Sequence, residues 1–317
     1  MRVPQVHRNS TLPSCVTLRM KQIIVQVHEG LGNQLFQYAL WLKLREAFPT
    51  CHVRLEDSRM RKGHRTLGLF RIVDPEPLMR VSWWAHRKAK YARLLRVRFL
   101  NRWGFHVRLI REEEVQGWEE LCAEIEASGD CLLQGFWQWA EVHGPVIGPM
   151  SEAIQRRHPA GRLPTPQREW AQQAIAVHVR LDDYLLPQNQ AIFQSLGSDY
   201  FARGIAHLTE SGEQPELVIF SDAPDQVLDF HPFLADFPLR WARDYCADHI
   251  EEFLWLKDFQ RVVISNSTFS YWASSIGSDE GSGKQRVFPR TYFHCEVRNA
   301  HYEAGKKFAI TPGVTLL

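Results

Sequence analysis

The sequence predicts an α/β fold with two Rossmann-like domains that face each other across a cleft. The chain has 317 residues, which is long for one hydrophobic core. Apolar runs of strand length alternate with segments whose apolar residues recur at helical spacing. A stretch rich in Pro and Gly at 156–170 separates two such halves. We therefore expect an N-terminal domain over residues 21–155 and a C-terminal domain over 156–317, each built on a parallel sheet.

The first half opens as a strand, a tight glycine loop and a helix. QIIVQVHEG at 22–30 is a β-branched run that ends in glycine, and NQLFQYALWLKLREAF at 33–48 has helical spacing. CHVRLEDS at 51–58 predicts the next strand, and 131–143 contains a short one. Residues 1–20 lack the apolar core of a secretory signal, so we expect a flexible N-terminal extension and no export.

The second half repeats the alternation. It predicts strands at 174–180, 217–221 and 261–265, with helices near 199–210 and 247–259. Because open parallel sheets bind ligands at the carboxyl ends of their strands, polar residues at those ends are the candidate site.

Composition favours a cytoplasmic globular protein. Hydrophobic residues make up 44% and charged residues 23% of the chain, and no apolar run is long enough to span a membrane. The six cysteines include no CxxC pair, which is typical of reduced thiols in the cytoplasm.

The basic segment, residues 80–111, carries ten Lys or Arg and no acidic residue, although the whole chain has a net charge of only +2. Aromatic residues are interleaved with these charges. A helix lying on anionic membrane, a groove for nucleic acid and a solvated helix face all remain open. Sedimentation with anionic vesicles at low salt tests the membrane contact.

The first polar strand end is HEGLGNQ at 28–34, where two glycines allow a sharp turn before a helix start. The amide of Asn33 can cap this helix or bind a ligand. A dinucleotide fingerprint requires a third glycine where the chain has Leu35, although Glu56 or Asp57 lies where a ribose-binding acid is expected. An NAD-dependent oxidoreductase is therefore an alternative.

The second polar strand end, HVRLDDY, places charged side chains directly after a buried strand. Strand alternation puts His178 and Arg180 on the same side. The planar fork of Arg180 can hold a diphosphate, or it can pair with Asp182 or Asp183 in a structural salt bridge. Both interpretations remain open.

Two further strand ends are polar. Asp222, at the end of ELVIFSD, either caps the following helix or accepts both edge protons of a guanine. RVVISNSTFSYWA at 261–273 then breaks into hydroxyl and amide side chains before a helix, and such a start forms an anion site without any metal.

Together, IIVQVHEGLGNQLFQYA, HVRLDDY, FSDAPD and VVISNSTFSYWA resemble the bacterial α-1,2-fucosyltransferase family in order and spacing. QGFWQ at 134–138 and FPRTYF at 288–293 also match its pattern, so the resemblance spans roughly residues 21 to 295. It implies a fold of the glycosyltransferase B type. It also implies a GDP-fucose donor without a further cofactor, a galactose acceptor, and a C-terminal domain that binds the nucleotide sugar opposite an acceptor-binding N-terminal domain.

The resemblance also implies roles for individual residues. Arg180 would contact the β-phosphate and His178 with Asp222 the guanine, while Asn33 would approach the sugar diphosphate from the opposite domain. The nucleotide-sugar-binding residues so implied are Asn33, His178, Arg180, Asp222, Ser267, Thr268 and Ser270. The family usually has glycine where this chain has Glu29 and Asp182, and a negative charge beside a diphosphate is unfavourable unless its side chain turns away.

The residues predict a mechanism consistent with that family. No Asp-x-Asp metal clamp occurs, so Arg180, helix-start amides and hydroxyls must stabilise the departing GDP. One displacement by the acceptor hydroxyl inverts the donor, with Asp183 ranked before Glu29 as the general base.

The expected partners follow from this mechanism and from the basic segment. They are a nucleotide sugar and a glycan of a surface polysaccharide or lipopolysaccharide, which is lipid-linked if the basic segment holds the enzyme at the inner face of the cytoplasmic membrane. A nucleic-acid-binding protein is the weaker alternative, because the overall charge is near neutral and no recognition module occurs.

Overall fold

The fold is described from a computed structural model over residues 20–57, 60, 67–74, 107–277, 283–303, 305–309 and 312–317. The predicted N-terminal extension, apart from Met20, lies outside the described residues, as do residues 80–106 of the basic segment. The membrane contact predicted for that segment therefore stays a prediction.

The first sheet has four parallel strands in the order β2-β1-β4-β3. They are β1 (Gln22–Gln26), β2 (His52–Glu56), β3 (Val107–Arg111) and β4 (Asp130–Gln134). The two helical interpretations of the basic segment are wrong for Val107–Arg111, because these five residues form β3 and pair in parallel register with the whole of β4.

The second sheet has six parallel strands in the order β10-β9-β8-β5-β6-β7. They are β5 (Ile175–Val179), β6 (Leu217–Ser221), β7 (Leu239–Trp241), β8 (Arg261–Val263), β9 (Gln285–Phe288) and β10 (Val314–Leu316). β5 lies between β6 and β8, and all five of its residues are buried. This central position explains its continuous apolar run.

Helices connect the strands and cover the sheets. They are α1 (Leu31–Ala47), α2 (Leu69–Ile72), α3 (Trp118–Ala127), α4 (Ala140–His143), α5 (Ile147–Arg157), α6 (Thr165–Gln173), α7 (Pro187–Gln190), α8 (Ser198–Leu208), α9 (Val227–Phe230), α10 (His249–Leu256), α11 (Thr268–Ser275) and α12 (Glu296–Glu303). The helices predicted at 33–48, 199–210 and 247–259 are confirmed as α1, α8 and α10. Among the described residues, no helix has both the length and the apolar character needed to cross a membrane.

The predicted α/β class with two parallel sheets is confirmed. One sheet comes from each half of the chain. The exact division at 155/156 stays a prediction, and helix α5 runs across that position. One buried apolar cluster includes side chains of both sheets, such as Val25 and Leu133 from the first and Phe220 and Val262 from the second.

The two halves meet most closely where α1 packs against α11. A Cβ atom at Gly32 would overlap the backbone carbonyl carbon of Thr268 and lie 2.6 Å from the backbone nitrogen of Phe269. Only glycine leaves room for this approach. The N-terminal turns of both helices therefore lie side by side at the junction of the halves.

We expect Gly32→Ala to lower the free energy of unfolding by roughly 1–3 kcal/mol, because the added methyl group collides with backbone that cannot rotate away. Chemical denaturation monitored by tryptophan fluorescence measures this change. Gly148→Ala in α5 is the matched control, since nothing lies within 4 Å of its added Cβ. That variant should be neutral or more stable by about 0.5–1 kcal/mol. Equal stability of the two variants would contradict the packing argument.

Candidate active site

A cavity of about 730 Å³ lies between the two sheets, at the carboxyl ends of their strands. Loops after β1, β3 and β4 contribute Glu29, Glu112 and Phe136 to its wall. Loops after β5 and β6 contribute Arg180 and Asp222. The shared strand polarity of each sheet thus gathers the polar strand ends of the sequence at one place.

Arg180 lies inside this cavity and is held by two carboxylates. Its Nε and Nη2 atoms lie 3.0 and 2.6 Å from Oδ1 of Asp183, and its Nη1 lies 3.0 Å from Oδ2 of Asp222. Its side chain is 18% exposed. The guanidinium also lies 5.7 Å from the centroid of the Tyr184 ring. The salt bridge considered from the sequence therefore exists with Asp183, and Asp222 adds a second one.

Burial and charge act in opposite directions on this cluster. Burial alone would lower the pKa of Arg180, but Asp222 and Asp183 outweigh it and raise that pKa above its ordinary value. Burial raises the pKa of Asp222, opposed by Arg180 and by the backbone N–H of Leu181, which donates to its Oδ1 at 2.9 Å. Arg180 is thus a permanently charged group, and both oxygens of Asp222 are engaged.

His178 is a neutral imidazole on the same wall. Its Nδ1 lies 2.7 Å from the hydroxyl oxygen of Ser265, and its ring stacks on Phe269 with 5.7 Å between centroids. Burial, with a smaller contribution from the charge of Arg180, lowers the pKa of His178 to about 3. A neutral ring at this place offers hydrogen bonding and a flat surface rather than positive charge.

The serine-rich turn before α11 divides into cavity-lining and structural residues. Ser267 and Thr268 line the cavity, and no side chain caps the first turn of α11. Asn266 lines it too, but its amide donates to the backbone oxygens of Gln194 and Tyr292 at 2.8 and 3.0 Å. Ser267 and Thr268 therefore lie at the cavity together with the start of a helix.

Ser270 does not line the cavity. It is fully buried, and its hydroxyl donates to the backbone oxygen of Ser267 at 3.3 Å. Ser270 lies about one helical turn after Ser267, and this rotation places its side chain in the protein interior and not at the cavity.

Asn33 faces the cavity from α1, on the side opposite Arg180. Its side-chain oxygen accepts a hydrogen bond from Nε2 of Gln138 at 3.0 Å. This bond orients the Asn33 amide nitrogen away from Gln138. The structure therefore brings Asn33, His178, Arg180, Asp183, Asp222, Ser267 and Thr268 to one cavity.

The two positions at which the family usually has glycine differ in backbone conformation. Glu29 has a φ of 66°, a left-handed conformation that favours glycine, and its exposed side chain lies at the cavity wall of the first half. Asp182 begins the short helical turn Asp182–Leu185 and is exposed outside the cavity lining. Asp182 thus turns away from the cavity, whereas Glu29 remains beside it.

Sequence analysis missed several cavity residues, which lie in the loop after β4, on helices and on the C-terminal segment. They are Phe136, His249, Glu252, Arg298 and Lys307. Burial, strengthened by the negative charges of Asp222 and Asp248, raises the pKa of Glu252 to about 7. In the sequence, Glu252 is the second of two adjacent acids in the first turn of a predicted helix, which is typical of helix capping.

The acid proposed to bind a cofactor ribose is engaged elsewhere. Glu56 is fully buried, and its Oε2 accepts a hydrogen bond from Nε2 of Gln26 at 2.9 Å. It does not line the cavity. Within the described ranges, no cluster of His, Cys, Asp and Glu side chains is arranged to hold a metal ion.

Solved structures with similar architecture share little sequence with this chain. A mutant of FUT1 from Arabidopsis thaliana in complex with GDP is 12% identical, with 85% of this chain and 70% of that chain covered and a TM-score of 0.47. Fucosyltransferase NodZ from Bradyrhizobium is 14% identical, with 81% and 94% covered and a TM-score of 0.44. The glycosyl transferase family 9 protein from Veillonella parvula DSM 2008 is 11% identical, with 94% and 85% covered and a TM-score of 0.43.

A sequence model does identify the family. No curated protein matches the chain significantly. The model described as Glycosyl transferase family 11 matches residues 95–297, which is more than half of the chain and includes β3 to β9 with Arg180 and the serine-rich turn. The chain therefore belongs to glycosyl transferase family 11, the fucosyltransferase family that its strand-end motifs resemble.

Proposed function

We propose that this glycosyltransferase moves L-fucose from GDP-β-L-fucose to the 2-hydroxyl of a galactoside by one inverting displacement, without a metal ion. The observation that carries the proposal is the position of Arg180, held inside the inter-sheet cavity between Asp183 and Asp222 and not turned into solvent. A fixed guanidinium at a helix start is suited to the charge of a departing nucleoside diphosphate.

The diphosphate belongs beside Arg180 and the start of α11. Three of the five N–H donors of the guanidinium serve the two carboxylates, which leaves one donor on each terminal nitrogen. The hydroxyls of Ser267 and Thr268 and the amides of the first helical turn, which the Ser267 side chain does not cap, supply further donors. Asn33 adds an amide from the opposite wall. These groups are fixed before the reaction, so they stabilise leaving-group charge without reorganising.

In this proposal the guanine is read by Glu252 together with His178, and Asp222 positions Arg180. Both oxygens of Asp222 already accept hydrogen bonds or ion pairs. The Glu252 carboxylate has no hydrogen-bond partner within the described residues and lies close enough to Asp222 to respond to its charge. A carboxylate is the group that can accept both N–H protons on the edge of a guanine, which an adenine lacks.

The chemical step follows from this placement. The oxygen of the acceptor 2-hydroxyl attacks C1 of fucose, the bond from C1 to the β-phosphate oxygen breaks, and GDP leaves with the electron pair. A general base takes the hydroxyl proton. Asp183 ranks first for this role. Its Oδ1 accepts from Arg180, so Asp183 also orients the guanidinium that stabilises the leaving group. Glu29, the second candidate, lies on the first-half wall.

The acceptor belongs on the wall of the first half. Phe136, 40% exposed, presents its ring to the cavity and contacts His28 with 5.1 Å between centroids. An aromatic ring of this kind stacks against the apolar face of a sugar. Gln138 provides a neighbouring amide for the sugar hydroxyls.

Incubation of the protein with GDP-fucose and a panel of galactosides, with NMR of the product, tests the proposed reaction. We expect a new α-linkage at the 2-hydroxyl of galactose. A β-linked product would overturn inversion, and attachment at another hydroxyl would overturn the acceptor assignment. A thermal shift should occur with GDP and not with NAD or an oligonucleotide, because binding to the folded state raises Tm. The reverse pattern would favour the oxidoreductase or nucleic-acid alternative.

Arg180→Ala should lower kcat roughly 100- to 1000-fold while the circular dichroism spectrum is retained, because the leaving GDP loses its fixed cation. Arg180→Lys keeps the charge without the planar fork, so its kcat should lie between that of Arg180→Ala and that of the original protein. Arg203→Ala, an exposed arginine of α8 paired with Asp199, is the control and should keep full activity. Full activity of Arg180→Ala would refute the mechanism.

The same series separates the two roles of Asp183. Loss of kcat in Asp183→Asn with unchanged GDP affinity is expected for a general base. A parallel loss of kcat and GDP affinity is expected for a residue that only orients Arg180.

GDP affinity should depend on the ionisation of Glu252. Only the ionised carboxylate accepts the guanine N–H protons, and the Glu252 pKa of about 7 means that it protonates as the pH falls below neutrality. The ratio of the ADP Kd to the GDP Kd should therefore decrease about tenfold from pH 8 to pH 6. Both ligands carry the same terminal phosphate, so its protonation affects the two Kd values equally and does not change their ratio.

In Glu252→Gln the ratio of the ADP Kd to the GDP Kd should be small and nearly independent of pH, because the variant has no carboxylate at this position. Glu251→Gln is the matched control, since the exposed Glu251 does not line the cavity. A Glu252→Gln protein that keeps the pH-dependent ratio would place the guanine elsewhere.

A further inference from the structure

Two cationic side chains of the C-terminal segment share one aromatic ring at the cavity wall. Cζ of Arg298, on α12, lies 5.7 Å from the centroid of the Phe293 ring, and Nζ of Lys307 lies 4.8 Å from the same centroid. Arg298, Lys307 and Phe293 all line the cavity. We call Arg298 and Lys307 the cation pair.

The cation pair is incompletely neutralised. In the part of the chain that the structure describes, neither side chain forms an ion pair or a hydrogen bond. Burial lowers the pKa of Lys307, Glu112 raises it, and the charge of Arg298 lowers it again. The carboxylate of Glu112 itself accepts a hydrogen bond from the backbone N–H of Phe136 at 2.7 Å. Two like charges are thus held near each other beside a cavity, with the carboxylate of Glu112 near Lys307.

Aromatic rings stand between the cation pair and Arg180. Phe293 contacts Phe193 with 5.7 Å between centroids, and Phe193 stacks on Tyr184 at 4.6 Å. Tyr184 is in turn the ring that packs against the Arg180 guanidinium. The cation pair is therefore separated from the cluster to which we assign the donor diphosphate.

The segment that carries Lys307 is attached to the first half of the chain. The backbone oxygen of Lys306 accepts a hydrogen bond from the N–H of Ala140, at the start of α4, at 2.9 Å. The backbone N–H of Ala309 donates to Nε2 of His143 at 3.0 Å. Because Glu112 and Phe136 also belong to the first half, the cation pair lies beside the wall assigned to the acceptor.

We propose that Arg298 and Lys307 bind an anionic substituent of the acceptor glycan, a carboxylate or a phosphate, so that the enzyme prefers acidic acceptors. This inference rests on the proposed function for the placement of donor and acceptor. The fork of Arg298 matches either group through two parallel hydrogen bonds, and Lys307 adds a point charge. The Phe293 ring restricts both cations to the cavity wall.

Three acceptors with the same terminal galactose test the proposal: a neutral oligosaccharide, one with a uronic acid next to the galactose, and one with a phosphate there. Their KM and their equilibrium Kd with GDP present are measured at low salt. At least one acidic acceptor should bind about tenfold more tightly than the neutral one, and 0.5 M NaCl should remove most of that difference. The tighter acidic acceptor identifies the group as carboxylate or phosphate.

Arg298→Gln and Lys307→Met should each reduce the acidic-to-neutral preference several-fold, and the double variant should abolish it. Arg298→Lys should restore part of it for the phosphate. Arg156→Gln, an exposed arginine of α5 outside the cavity lining, is the control and should keep the full preference. GDP affinity should stay unchanged in all of these variants.

The outcomes separate this inference from the proposed reaction. Equal binding of acidic and neutral acceptors would overturn the inference, and so would a loss of GDP affinity in Arg298→Gln, which would assign the cation pair to the donor. Selective binding of an acidic glycan without fucosyl transfer would support the cation pair and contradict the proposed reaction alone.

Discussion

The contact between α1 and α11 is the constraint on which the geometry of the cavity depends. Each helix follows a central strand of its own sheet, and each begins at the cavity. Gly32 lets the backbones touch, because any larger residue would overlap Thr268. The ligand-binding ends of two separate sheets are thereby fixed against each other, and side chains more than a hundred residues apart, such as Asn33 and Arg180, face one space.

The charge states of the cavity side chains depend on burial as much as on residue type. A lone buried guanidinium would be costly, and two carboxylates offset that cost while keeping Arg180 charged and oriented. The resulting cluster carries more acid than base, so the diphosphate that we assign to it is held only by the donors that remain and by the amides of α11. Precise orientation, rather than excess positive charge, then accounts for its suitability for GDP. The excess positive charge lies instead at Arg298 and Lys307, elsewhere in the same cavity lining.

The sequence predicted this architecture where local pattern and tertiary structure agree. Buried parallel strands read as apolar runs, and polar residues after them must meet at one sheet edge, so Arg180, Asp183, Asp222 and Ser267 could be found without coordinates. Ser270 could not be placed, because one helical turn decides whether a hydroxyl faces the cavity or the helix interface. Glu252, Arg298 and Lys307 were missed since they come from helices and their flanks, whose rotation is set by packing. The strand β3 was hidden because Arg108 and Arg111, two of its five residues, continue the series of basic residues that precedes it.

Among the described residues, loops of the first half contain non-glycine residues in an unfavourable left-handed backbone conformation, and loops of the second half do not. Glu29 and Trp137 are the non-glycine residues with positive φ among the described residues, and both stand in loops at the cavity. Each such conformation costs about 1–2 kcal/mol relative to glycine. The packing of the fully buried Trp137 compensates for this cost and directs Phe136 into the cavity. Glu29 is exposed, so burial does not offset the cost of its left-handed backbone conformation. The chain therefore keeps a carboxylate on the wall that we assign to the acceptor, although glycine suits this backbone better. A negative charge there is distant from the donor phosphates only if the donor binds to the second sheet, which is the same division of the cavity that we infer from the position of Arg180.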